Sequence, residues 1–165
     1  MNTAPPAPRH RALRRLFWLA GLVLAGLGLT LATQGTAMAK MVMFSAVSGK
    51  VLQNGQPVAG AVVEREFRWS WKSETGTDST QTDAQGGFKL PLIERSSFMG
   101  SVLPHEPNVR QTILIKHGGK TYKAWMFDKP NYKPEGEIGR PIVLTCRLEK
   151  EPTHQGDVFG ICELN

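Results

Sequence analysis

From residue 40 onward, apolar positions recur every second residue in short runs, and helical spacing is nearly absent. A period of two is what a strand produces, because successive side chains point to opposite faces of a sheet. A first strand is predicted from Val42 to Val51, ending at Gln53-Asn54-Gly55-Gln56-Pro57. Asn-Gly supplies the positive φ that a tight hairpin turn needs. The next strand is predicted from Val58 to Lys72. Its odd positions Ala61, Val63, Arg65, Phe67, Trp69 and Trp71 face a core, with Arg65 the exception in kind; its even positions, Val62 to Lys72, face water. Ser73 to Ser79 reads as a polar loop, Asp83 to Gly87 as a turn and Phe88 to Leu92 as a strand. Thr112 to Lys116 and Tyr122 to Met126 flank His117-Gly118-Gly119-Lys120, a hairpin. Ile142, Leu144, Cys146 and Leu148 alternate with Val143, Thr145, Arg147 and Glu149 in a last long strand. About seven strands without helices predict an all-β fold, a single Ig-like β-sandwich.

The first 39 residues follow another pattern. Arg9, Arg11, Arg14 and Arg15 precede an apolar run from Leu16 to Ala32, and Ala37-Met38-Ala39 follows. A cationic head, an apolar middle and small residues at −3 and −1 are the parts of a secretory signal, with cleavage expected between Ala39 and Lys40. The alternative is an uncleaved anchor, since residues 16–32 reach the short end of what spans a bilayer. Both readings put residues 40–165 on the periplasmic side, free or held at the inner membrane, and the arginines in the cytoplasm. Arg14-Arg15 leaves the general and twin-arginine export routes both open.

Export changes the meaning of the composition. The chain carries 20 basic and 14 acidic residues, net +6. Without the four N-terminal arginines, 16 basic residues stand against 14 acidic ones, which is +2. The positive charge belongs to targeting, and no nucleic-acid partner is expected. Residues 40–165 suit one domain with a real core. Cys146 and Cys162, an even count in an oxidising compartment, are expected to form a disulfide. The bridge would pin the Gly160–Leu164 segment to the strand carrying Cys146.

Val47-Ser48-Gly49-Lys50-Val51, Gly55-Gln56-Pro57-Val58-Ala59-Gly60-Ala61-Val62-Val63 and Thr82-Asp83-Ala84-Gln85-Gly86-Gly87-Phe88-Lys89-Leu90 together resemble the opening of carboxypeptidase-regulatory-like, transthyretin-related domains. Leu103-Pro104-His105-Glu106-Pro107, Val109 to Thr112, Tyr122 to Trp125 and Leu144-Thr145-Cys146 extend the likeness over nearly all of 41–165, to an uncharacterised bacterial domain family with that fold. The resemblance implies a binding or spacer role. It also implies a loose association with proteins encoded beside interbacterial (type VI secretion) toxins.

The residues offer no catalytic set. There is no G-x-S-x-G elbow, no full G-x-x-x-x-G-K-Ser/Thr phosphate loop, and no apolar pocket suggested around Glu135 and Glu137. His117 and His154 read as solvated. His105-Glu106, stiffened by Pro104 and Pro107, is the one pair worth weighing as metal ligands, but adjacency is not the helical H-E-x-x-H spacing, and a rigid structural loop is the plainer reading. No cofactor or metal is expected.

The binding case is stronger. Two connections are long, from Glu94 to Arg110 and from Asp128 to Pro141, and long loops in compact domains are usually functional or disordered. The first carries Phe98, Met99 and Leu103 beside His105 and Glu106. Trp71 ends a strand that outruns the usual roughly six residues, and so is a candidate to emerge as an interface anchor. Trp71, Phe98, Met99, Leu103, His105 and Glu106 are thus the candidate contact residues. A non-catalytic periplasmic protein-binding domain, an immunity protein against a cognate toxin, is the expectation. A structural or carbohydrate-binding envelope module is the alternative.

Overall fold

Alternation decides most of the architecture. The computed structural model describes residues 40–97 and 105–165, which hold thirteen strands and one 3₁₀ turn. In chain order the strands are β1 Lys40–Phe44, β2 Val47–Gln53, β3 Gln56–Pro57, β4 Val62–Trp69, β5 Glu74–Gln81, β6 Gly87–Leu90, β7 Ile93–Ser96, β8 Val109–His117, β9 Lys120–Lys129, β10 Ile142–Arg147, β11 Thr153–Gln155, β12 Val158–Gly160 and β13 Cys162–Leu164.

They form three sheets. The largest is antiparallel, in the order β11-β12-β9-β8-β4-β5. The second runs β13-β10-β2, with β3 and β6 sharing the remaining edge of β2. Within it β2 and β10 are parallel, Ile142 opposite Val47 through to Arg147 opposite Leu52. β1 and β7 make a separate antiparallel pair with an irregularity between Val42 and Phe44. The inward residues of the two larger sheets join one buried cluster: Val47, Val51, Leu144 and Cys146 from one, Val63, Phe67, Ile113 and Trp125 from the other. Burying each such side chain is worth about 1.5–3 kcal/mol.

The predicted all-β fold is present, but a single sandwich of seven strands is too simple. The strand predicted over Val42–Val51 is two, parted at Ser45 and Ala46. Ser45 is buried and bonds to charged groups from elsewhere in the chain, which takes it off the ladder. The strand predicted over Val58–Lys72 is only Val62–Trp69; Gly60 has φ +70 before it, and Ser70–Lys72 coil into the 3₁₀ turn after it. The polar loop predicted over Ser73–Ser79 is strand β5, paired to β4 along its whole length. β5 shows no apolar signal because its inward side is occupied by Gly76, over which Phe67 lies. A methyl group there would collide with the ring.

Other expectations hold. Asn54 and Gly55 take φ of 50° and 80° at the β2–β3 hairpin, and Gly118 and Gly119 turn β8 into β9 with φ of 57° and 74°. Ala61, Val63, Phe67 and Trp69 are buried. Cys146 and Cys162 are bonded, and they are directly opposed partners of β10 and β13, so the bridge pins the C-terminal strand as expected.

Arg65 keeps the core-facing direction that alternation gives it, and is 1% exposed. The register explains how. Asp78 is its direct partner on β5. Nε and Nη2 of Arg65 donate to the two carboxylate oxygens at 2.9 and 2.6 Å. Nη1 donates to the Ser45 carbonyl and Nη2 also to that of Pro91, at 3.1 and 2.6 Å, while the guanidinium lies over the Phe44 ring. A planar donor fork is the one cationic group that satisfies this many acceptors at once.

Candidate functional site

At the end of β4 the chain changes from ladder to turn, and the change sorts two neighbouring indoles. Trp69 is the last strand residue and is fully buried. Trp71 lies in the 3₁₀ turn and is 38% exposed. Ser73 closes that turn in the left-handed region, φ 51°, with its N–H bonded to the Ser70 carbonyl, and the Ser70 N–H donates to the Asn108 carbonyl at 3.2 Å.

His105 stacks on Trp71, with ring centroids 4.2 Å apart and planes 24° from parallel. Its Nε2 is 2.8 Å from the Tyr132 hydroxyl. The same hydroxyl accepts from the Trp69 indole N–H, also at 2.8 Å. An indole N–H only donates, so the hydroxyl accepts from Trp69; the direction of its bond with His105 Nε2 is set by the imidazole tautomer. Tyr132 also meets Trp69 edge to face at 5.8 Å. Burial holds its phenol above the usual range, against the opposing pull of the Trp69 hydrogen bond. The result is a relay from core to surface: Trp69, Tyr132, His105, Trp71. Lys72 extends over the Trp69 ring, 5.2 Å from its centroid.

Tyr132 comes from the long connection after β9, and a buried ionic cluster holds that connection down. Glu137 and Lys129 pair at 3.0 Å with both side chains wholly buried. Glu137 Oε1 accepts from the Ser45 N–H at 3.0 Å and from Gln111 Nε2 at 2.7 Å; Oε2 accepts from the Ser45 hydroxyl at 2.6 Å. Lys129 also donates to the Lys133 carbonyl at 2.8 Å, and the Glu135 N–H to Ser45 Oγ at 2.8 Å. Burial alone raises the Glu137 carboxyl. The Ser45 and Gln111 hydrogen bonds and the Lys129 charge outweigh it and hold the carboxyl below its usual range. Nearer the platform, the Val42 N–H donates to the Tyr132 carbonyl at 3.0 Å.

The structure therefore brings together two of the six predicted contact residues, Trp71 and His105. Glu106 is exposed beside them in sequence. Phe98, Met99 and Leu103 lie outside the described residues, as do Ala39 and the whole N-terminal segment with its signal or anchor. Lys40 opens β1 and pairs with Glu94 at 3.2 Å. Among the described residues, no group of three or more His, Cys, Asp or Glu is placed to hold a metal ion. Tyr132 and Lys129 are passed over in the sequence, and Glu137 is set aside there for want of a pocket, whereas the fold buries the Glu137 side chain completely. An aromatic inside a polar connection was the available signal for Tyr132. A lysine and a glutamate near a Pro- and Gly-rich loop carry no signal of burial.

A family model described as Domain of unknown function (DUF6795) matches residues 47–151, which include Trp71, His105, Tyr132 and, of the buried cluster, Gln111, Lys129 and Glu137 but not Ser45. No curated protein matches the chain. Among solved structures, an alternative pilotin from the type II secretion system of Vibrio cholerae is similar at 16% identity, over 61% of this chain and 95% of that one, with a TM-score of 0.31. So slight a likeness carries no argument about this chain.

Proposed function

The chain belongs to the family described as Domain of unknown function (DUF6795), and from that premise we propose that its β domain is an exported, non-catalytic binding module whose Trp71 platform engages a protein partner in the periplasm. The observation that carries the reading is the mounting of Trp71. A large exposed indole is ordinarily mobile; here one face is covered by His105, which is tied through Tyr132 to the core. Rigid aromatic anchors lose little freedom on binding and dominate interface energetics. The signal-like N-terminal pattern and the disulfide support an oxidising compartment. Kinship with transthyretin-related domains, carried by the 47–90 motifs, belongs to the same reading. So does the specific partner: a toxin exchanged between bacteria, with this chain as the immunity protein.

A photo-reactive amino acid at position 71 tests the contact in living cells. One discrete protein adduct is expected, absent when the same group is placed at exposed Val143; no adduct, or the same set from both sites, defeats the reading. The immunity version requires that cells lacking the chain be killed by toxin-bearing siblings and that Trp71→Ala fail to protect them. Full protection by Trp71→Ala removes the platform from that role.

A glycan of the envelope is the second reading, because Trp71 is an indole held by the stack on His105 that keeps 38% exposure, and sugar rings stack on such aromatic surfaces. Retention on purified peptidoglycan that falls with Trp71→Ala would favour it over the protein partner.

A further inference from the structure

Among the described residues, strand β5 has one side that no strand pairs. Among the described residues the other edge strands are short: β3 has two residues, β11 and β13 three each, β6 and β7 four each, β1 five. β5 has eight, all paired to β4 without a bulge, and no strand pairs its other side. Such an edge offers a row of unpaired backbone donors and acceptors, which proteins normally blunt with Lys, Pro, bulges or unmatched inward charges. β5 has no Lys, Pro or bulge. Its two charges, Glu74 and Asp78, are matched by Arg95 and Arg65. Its outward side chains, Thr75, Thr77, Ser79 and Gln81, are exposed and uncharged.

The sequence of β5 is also complementary to itself. A two-fold axis perpendicular to the sheet keeps each side chain on its own face, so odd positions meet odd and even meet even. Two registers then pair seven residues of β5 with a second copy. One, centred on Asp78, opposes Asp78 with Asp78, and directly opposed like charges are destabilising. The other, centred on Thr77, sets Thr77 against Thr77, Thr75 against Ser79, Gly76 against Asp78 and Glu74 against Thr80. No two acids face each other, and hydroxyls meet across the joint. It also brings the Lys72 end of each copy to the Asp83 end of the other, where the charges are opposite.

We propose that two copies of this chain associate edge to edge through β5 in the Thr77-centred register, making one continuous sheet. This is independent of the partner bound at Trp71. Cysteine scanning of the full chain, expressed in cells with its own N-terminal segment, tests it. Directly opposed residues of neighbouring strands can be bridged, as Cys146 and Cys162 are here. Thr77→Cys is expected to give a reducible dimer of the chain with itself. Thr75→Cys and Ser79→Cys are each expected to give none alone and a mixed dimer when co-expressed. Thr77→Cys linked to a different protein, or Ser79→Cys dimerising as well as Thr77→Cys, overturns the proposal. Sedimentation of the unmodified exported protein is the second measurement. A concentration-dependent dimer is expected, weakened by roughly fivefold or more in Thr77→Lys. A monomer throughout a millimolar series, or a dimer that Thr77→Lys leaves unchanged, overturns it.

Discussion

Two cations are buried among the described residues, and they are neutralised in different ways. Arg65 meets Asp78 across adjacent strands, and the carboxylate end of the pair keeps 30% exposure at the side of the sandwich. Lys129 meets Glu137 across a connection, and neither end touches water. The first pair belongs to the ladder; the chain would place the two residues together even if both were neutral. The second belongs to no ladder. It draws on Ser45, Gln111 and the 133–137 backbone, and its product is the position of the connection that carries Tyr132. One pair finishes an edge, and the other fastens the support of a surface site.

Breaking the second pair should therefore cost more. Glu137→Ala leaves an uncompensated buried ammonium, a loss of about 3–5 kcal/mol expected in urea unfolding. The apolar pair Lys129→Met with Glu137→Leu should recover most of it. A covalent tie calibrates both: Cys146→Ser with Cys162→Ser is expected to lose about 3 kcal/mol by the chain-entropy account, with the platform intact. Asp78→Ala is expected to cost less, about 1–2 kcal/mol, because water reaches the site and Arg65 keeps the Ser45 and Pro91 carbonyls. An Asp78→Ala loss equal to that of Glu137→Ala would erase the distinction.

Acid sharpens it further. The Glu137 carboxyl titrates below its ordinary value of 4.5 in the folded chain. Between those two values the unfolded chain holds more protons, so this contribution is complete above the ordinary value and lost as pH falls through the folded one. Stability measured from pH 3 to 7 should decline on the acid side, and the decline should be shallower in Glu137→Gln. The smallest effect belongs to the platform itself. Trp71→Ala is expected to cost about 0.5–1.5 kcal/mol through loss of the stack on His105, too little to unfold the domain, so any loss of partner binding reports contact rather than unfolding.

The same contrast explains what the sequence discloses. β4 and β10 are readable because every second residue is apolar and buried. The Arg65 anomaly is visible in that pattern, although its partner is not, since β5 offers only small and polar residues. The disulfide follows from two cysteines and a compartment. The platform is half readable: Trp71 and His105 stand out, one at a strand's end and one between prolines. What joins them is not, because Tyr132 and Glu137 are ordinary loop residues, and Lys129 an ordinary strand end, until Ser45 and Gln111, far away in the chain, arrive beside them.

The parallel pairing of β2 with β10 has a kinetic consequence. Residues 47–52 wait for residues 142–147, almost the whole length of the domain, before the second sheet can close. Sheets built on such distant pairings fold slowly. A nascent chain of this topology stays extensible until nearly all of it has been made. That delay suits the exported domain we propose, since a polypeptide that cannot finish its fold early remains threadable through a narrow conduit. In that proposal the bond between Cys146 and Cys162, which ties β13 to β10, closes after translocation.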